Sequence, residues 1–221
     1  MDNVYYNPGC ALMLYKPHLA KKVLQYLNGR QQPVEFHLLC CGHDPKVPRG
    51  ARIINTCPGC DRRFGSLYEG VSTISLWEVL ADDVDFPFPD HSGLCVSVHD
   101  ACPVRDKPQV HQAIRTLLRR MNIEIRECAA HGKHSVCCGD SVYDDEQGVP
   151  LEKVHEAMCR RASSMPYDDV CVYCGSCIKS MHIGGKKPRY IVDLLFDEPT
   201  DPQVYDTELW HKELDAYSDR H

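Results

Sequence analysis

Apolar and polar positions along this chain set out a pattern that occurs twice. The first occurrence opens on a short apolar run, Val4-Tyr5-Tyr6, followed by Asn7-Pro8-Gly9-Cys10. Leu19, Val23, Tyr26 and Leu27 then fall on one face of a predicted helix that Gly29 stops. Val34 to Leu39 reads as a strand ending at Cys40-Cys41-Gly42, and Arg52 to Thr56 as a strand ending at Cys57-Pro58-Gly59-Cys60. Ser75 to Leu80 closes the unit with one or two helical turns.

The second occurrence keeps the order. Leu94 to His99 predicts a strand, followed by Asp100-Ala101-Cys102. Val110, Ile114, Leu117, Leu118 and Met121 have helical spacing, and Ile123 to Arg126 alternates as a strand does. Cys137-Cys138-Gly139 comes next, then a helix over about Leu151 to Ser164 with Leu151, Val154 and Met158 on one face. A strand at Val170-Cys171-Val172 leads into Cys174-Gly175-Ser176-Cys177, and Tyr190 to Leu195 closes the unit.

Strands alternating with helices predict an α/β fold of two small pseudo-symmetric lobes, with parallel strands, flanking helices and cofactor sites at the strand carboxyl ends. The lobes are expected over residues 1–85, shortened, and 94–197. Between them, Asp82 to Gly93 is rich in Asp, Pro and Gly, the composition of a boundary. Residues 198–221 read as an acidic, loosely packed C-terminal extension, in which Trp210 and Leu214 are spaced to dock a short helix.

Charge and hydropathy narrow the function classes. The net charge of -6 argues against a nucleic-acid partner, since phosphate binding needs a basic surface. No apolar run is long enough to span a bilayer, and Met1 to Cys10 lacks the pattern of a signal peptide, so a cytoplasmic protein without a membrane span is expected. Neither a Gly-x-Gly-x-x-Gly nor a phosphate loop occurs, so electrons are expected from a redox partner protein rather than from a bound nucleotide or flavin.

Cysteine changes the picture most. There are 14 in 221 residues, and in a chain without a secretory signal this usage points to metal or redox chemistry rather than disulfides. Ten fall into two matching sets: Cys10, Cys40, Cys41, Cys57 and Cys60, then Cys102, Cys137, Cys138, Cys174 and Cys177. Thiolates are the ligands of iron–sulfur clusters. A Cys-x-x-Cys turn aims two of them at one metal, whereas adjacent cysteines aim apart and suit two metals of one cluster. Five thiolates also exceed the four of a tetrahedral zinc site.

At these residues the chain resembles the cysteine-rich CCG-domain family, whose best-known member is the B subunit of heterodisulfide reductase. The resemblance covers about residues 3 to 196. It rests on Tyr6-Asn7-Pro8-Gly9-Cys10, Cys40-Cys41-Gly42, Cys57-Pro58-Gly59-Cys60, His99-Asp100-Ala101-Cys102, Cys137-Cys138-Gly139, Cys174-Gly175-Ser176-Cys177 and the closing Leu-Trp-Glu-Val-Leu and Ile-Val-Asp-Leu-Leu. It implies two noncubane [4Fe-4S] clusters, one per lobe on five cysteines, in an oxidoreductase that cleaves a disulfide or related sulfur substrate. It also admits an electron-transfer or assembly module without a substrate of its own. The spacer between the pair and the Cys-x-x-Cys fits the family in the second set but is much shorter in the first, which leaves zinc open there and with it a zinc-stabilised structural protein.

Cys41 and Cys138, as thiolates able to bridge, and His99, as proton donor, are the candidate catalytic residues. The plainer reading of His99 is a strand-end histidine satisfied by backbone. His43 is a weaker parallel. Arg62, Arg63, Arg115, Arg119 and Arg120 read as solvated helix faces. Cys95, Cys128, Cys159 and Cys171 read as small buried hydrophobes.

Overall fold

The computed structural model describes residues 3–30, 33–145, 148–202 and 206–221. In the first lobe, β1 (Val4–Asn7) runs into α1 (Gly9–Tyr15) and α2 (Pro17–Asn28). Pro17 opens α2, where an amide hydrogen would go unbonded anyway, and α2 buries Leu19, Val23 and Leu27 on one face. Then come β2 (Val34–Phe36), β3 (Arg52–Asn55), α3 (Pro58–Leu67), β4 (Ser72–Ser75) and α4 (Leu76–Asp82). A capping box between Ser75 and Glu78 starts α4.

The second lobe consists of β5 (Cys95–Val98), α5 (Pro108–Arg120), β6 (Glu124–Ile125), α6 (Ser141–Asp145), α7 (Leu151–Ser163), β7 (Asp169–Val172), α8 (Gly175–Ile183), β8 (Lys187–Tyr190) and α9 (Ile191–Leu195). The two sheets have orders β2-β1-β3-β4 and β6-β5-β7-β8, with every pairing parallel. The fold is therefore α/β, with two four-stranded parallel sheets related strand for strand. Among the described residues, the first lobe has no counterpart of α7 between β2 and β3.

Strands β4 and β8 escape the sequence pattern. Ser72–Ser75 is polar and Lys187–Tyr190 contains Pro188. Both lie at a sheet edge, where polar side chains and a proline are tolerated because one side of the strand needs no ladder.

One apolar core joins the lobes. Helix α4 of the first packs on α5 of the second, and Trp77, Leu80, Ile114, Leu117, Leu118 and Ile191 belong to the same buried cluster. The C-terminal segment is not loose. It forms α10 (Thr207–Arg220), capped by the Asp206 side chain and buried through Trp210, His211 and Tyr217, while Leu214 is only half-buried. No helix among the described residues is long and apolar enough to cross a membrane.

Candidate metal centres

Each cysteine set is assembled by loops that leave the carboxyl ends of parallel strands. Cys10 sits in the first turn of α1, just beyond β1. Cys57 caps α3 and Cys174 caps α8, and Cys60 and Cys177 follow in the first turn of each helix. Unpaired N–H groups at the start of α3 favour thiolate at Cys57, which the amides of Cys60 and Gly59 bond. Gly9 has φ +77, and a Cβ on it would meet the Cβ of Cys57 at 2.8 Å, so only glycine lets the Cys10 and Cys57 loops close on each other.

The residue three before each lone cysteine differs in kind. Asn7 donates through Nδ2 to His37 Nδ1 (2.9 Å) and to the carbonyls of His37 and Leu39 (both 3.1 Å), and its Oδ1 accepts from the Gly9 amide (2.9 Å). It thereby ties the turn before Cys10 to the loop carrying Cys40. In the second lobe this position is His99, and the tie passes to Asp100. Its carboxylate accepts from the Gly132 amide (2.7 Å), and its carbonyl accepts from Ser135 Oγ, on the loop leading to Cys137.

The ten cysteines of the two sets come together as two groups of five. Side-chain hydrogen bonds link Cys10, Cys40, Cys41, Cys60 and Cys57 in that order. They link Cys102, Cys137, Cys138, Cys177 and Cys174 in the equivalent order. All fourteen cysteines are free thiols.

Charge is distributed alike at the lone cysteine, the adjacent pair and the second cysteine of the Cys-x-x-Cys in both groups. The hydrogen bond from Cys10, and a second from Cys41, hold the Cys40 thiol far below its ordinary range. Cys102 and Cys138 do the same for Cys137, which also accepts from Ser141 Oγ at 3.1 Å. Cys41 is pushed up to about 12, first by its bond to Cys40. Cys60 and Cys177 are held up by their cysteine neighbours and by burial. Cys57 comes down to about 7 through its bond from Cys60, aided by the amides of Gly59 and Cys60. Each group thus pairs one ready thiolate with protonated thiols that a metal would deprotonate, which is the chemistry of a thiolate metal site. A ring nitrogen of His99 and the sulfurs of Cys138 and Cys177 all lie within 4.8 Å of one another and are buried, a metal-ligand grouping.

His99 is placed unlike the plain strand-end histidine. Its Nδ1 accepts from Arg161 Nε at 3.1 Å, and its Nε2 is buried with no partner among the described residues. Burial first, and Arg161 second, hold its pKa at about 3. The ring is neutral near pH 7, and since Nδ1 faces a donor, the proton sits on Nε2. His99 thereby keeps an unpaired N–H in the neighbourhood of the Cys138 and Cys177 sulfurs. A metal-ligating histidine instead donates from its other nitrogen to an acceptor.

Several surroundings depart from the sequence reading. Arg115 is not on a solvated face: it is buried, bidentate to Asp100 (2.5 and 2.8 Å) and bonded to Glu127 (2.9 and 2.8 Å). The helical pattern around it was strongly amphipathic, but Asp100 reaches across from β5 to pair with it. Arg120 bonds the Asp83 carbonyl at 2.6 Å. Arg63 is exposed and donates to the Cys41 carbonyl at 3.2 Å, while His43 is exposed and donates to the Ser218 carbonyl at 3.0 Å. Of the four cysteines outside the sets, Cys128 and Cys171 are buried, Cys95 is half-buried and Cys159 is exposed on α7. Arg161, Ser141 and Ser218 carried no sequence signal, because their roles come from contacts distant along the chain.

The centres approach each other across the lobe interface. Gly175, beside Cys174, is so close to Ala11, beside Cys10, that an added Cβ would lie 2.6 Å from the Ala11 Cβ. The buried Tyr190 hydroxyl is held far above its ordinary range by burial and then by both Cys57 and Cys174.

No protein-family model and no curated protein matches this chain. Among solved structures it is similar to an aspartate racemase of Picrophilus torridus, at 11% identity and a TM-score of 0.33 over 99% of this chain and 100% of that one. A likeness that distant carries no argument about function.

Proposed function

We propose that the chain binds metal through its two five-cysteine groups, holds an iron–sulfur cluster in each, and reduces a disulfide or related sulfur substrate with electrons from a partner protein. The observation carrying this reading is that five sulfurs connect in the same order in both lobes, the adjacent pair joining the lone cysteine on one side to the Cys-x-x-Cys on the other. A zinc site has no use for a fifth thiolate. The preserved order in the first group supports a site there despite the short spacer.

Disulfide reduction consumes two electrons: the S–S bond breaks, each sulfur leaves as a thiolate, and each thiolate takes its proton from solvent on release. Iron–sulfur clusters supply electrons singly, so two neighbouring centres suit the stoichiometry. The chain's own contribution is to hold the sulfurs, exclude water around Cys138 and Cys177, and present the His99 Nε2–H toward sulfur. Near neutral pH such a donor orients and stabilises a developing thiolate rather than delivering an acid proton.

Iron and acid-labile sulfide determined on anaerobically purified protein, with electron paramagnetic resonance of oxidised and reduced samples, test the reading. Iron and sulfide at cluster ratios in both lobes are expected. Zinc without sulfide would overturn the cluster, and a cluster protein that turns over no disulfide with an artificial electron donor would be an electron carrier.

A further inference from the structure

Helix α10 touches both centres at corresponding places. At its first turns, Trp210 Nε1 donates to Ser176 Oγ (2.9 Å), inside the second Cys-x-x-Cys. His211 Nε2 bonds Asp140 Oδ1 (3.2 Å), the residue directly after Cys137-Cys138-Gly139, and its ring stacks on Tyr143. Two turns later the same face meets the other lobe. Tyr217 donates to the Leu38 carbonyl (3.2 Å), and the Ser218 carbonyl accepts from His43, directly after Cys40-Cys41-Gly42. The Ser218 hydroxyl lies beside the Cys40 sulfur and within 3.5 Å of where a Gly42 Cβ would stand.

Residues 211 and 218 are seven apart, about two turns and roughly 10 Å of helix rise. The two Cys-Cys-Gly loops are therefore strapped to one helix face at a fixed separation of that order. The second lobe covers its own loop from within: Gly139 lies under the backbone of Met158 on α7, and Ser141 serves Cys137. The first lobe lacks a helix between its pair and its Cys-x-x-Cys. The residue standing where Ser141 stands is Asp44, which turns away to bond the Lys46 amide.

Resting on the proposed metal-binding reading, we infer that α10 is part of the first metal centre: it supplies the cover that the shortened lobe lacks, and Ser218 is a positioning residue that supports the Cys40 sulfur as Ser141 supports that of Cys137. The same helix sets the spacing between the centres. This accounts for an acidic tail whose polar composition gives no reason to fold, yet whose Trp210 and Tyr217 are buried.

The test compares full-length S218A, S218T, S141A and Y217A with wild type. Metal-loaded protein is challenged with a chelator and iodoacetamide, and alkylation is mapped by peptide mass spectrometry, which reports each cysteine set separately. S218A is expected to lose protection of Cys10, Cys40, Cys41, Cys57 and Cys60 about tenfold faster than wild type while leaving the second set unchanged. S141A should do the reverse, and S218T should restore the first. Equal protection in S218A and wild type, or equal loss at both sets, overturns the assignment. If wild type binds no metal at either set, the proposed function fails, but α10 is still tested on metal-free protein. There Y217A should speed alkylation of Cys40 several-fold and leave Cys137 unchanged. No change at Cys40 would remove the helix from that centre.

Discussion

The two Cys-Cys-Gly motifs are identical in sequence, yet their glycines should respond differently to the same substitution. Gly139 has φ +105, and an alanine Cβ there would lie 2.6 Å from the Met158 amide nitrogen and 2.9 Å from the Ala157 carbonyl carbon. Those are backbone atoms of α7 and cannot swing aside. Holding alanine in so sparsely populated a conformation costs about 1–3 kcal/mol, and prying α7 away adds roughly 1–3 kcal/mol of overpacking. Gly139→Ala should therefore destabilise by about 2–6 kcal/mol, the sum of those two ranges. Gly42 has no left-handed φ, and a Cβ there would meet only Ser218 Oγ at 3.5 Å and Cys40 Sγ at 3.7 Å, ordinary contacts. Removing glycine's freedom from the unfolded chain is worth about 0.4–1 kcal/mol, so Gly42→Ala should be neutral or slightly stabilising. Urea denaturation of the reduced, metal-free proteins followed by circular dichroism measures both. With a slope of about 2–3 kcal/mol/M, the Gly139 variant should unfold roughly 1–3 M earlier. Equal midpoints for the two variants would refute the reasoning.

Three further outcomes are expected. Cys10, Cys41 and Cys60, with Cys102, Cys138 and Cys177, are held above the usual thiol range, so a metal must displace their protons. Affinity in a chelator competition should rise by about a decade per pH unit for each proton released, and a flat profile between pH 6.5 and 8.5 would count against thiolate ligation. Asp100→Asn removes one of the two carboxylates that Arg115 pairs with, leaving Glu127, and should cost about 1.5–3 kcal/mol at neutral pH. Burial pushes the Asp100 carboxyl up but Arg115 outweighs it and holds it low, so the wild-type advantage is complete above the unfolded carboxylate value near 4 and fades as pH falls through the folded one. A urea midpoint difference that persists unchanged at low pH would contradict this. Trp210→Ala removes the side chain that seats α10 against Gly175. Hydrogen exchange should accelerate across α10 while β5 stays protected, and uniform acceleration would mean that the helix does not open on its own.

Read alone, the residue pattern carried the repeat, the α/β class and the ten cysteines that gather into two groups of five. Strand and helix periodicities survive in any one chain because they reflect the local geometry of the backbone, and a thiol placed after a buried strand has to emerge at that strand's carboxyl end. Periodicity could not reveal β4 and β8, whose polar or proline-bearing residues are tolerable only because tertiary packing puts them at sheet edges. Nor could it show that Arg115 is buried, since an arginine on an amphipathic helix reads as solvated until Asp100 is brought to it from another element. The order in which the sulfurs connect, the proton held on His99 Nε2 by Arg161, and the seating of α10 on both Cys-Cys-Gly loops all join residues far apart in the chain. Such contacts leave no local periodicity, and only the packing of the two lobes against each other and against the last helix decided them.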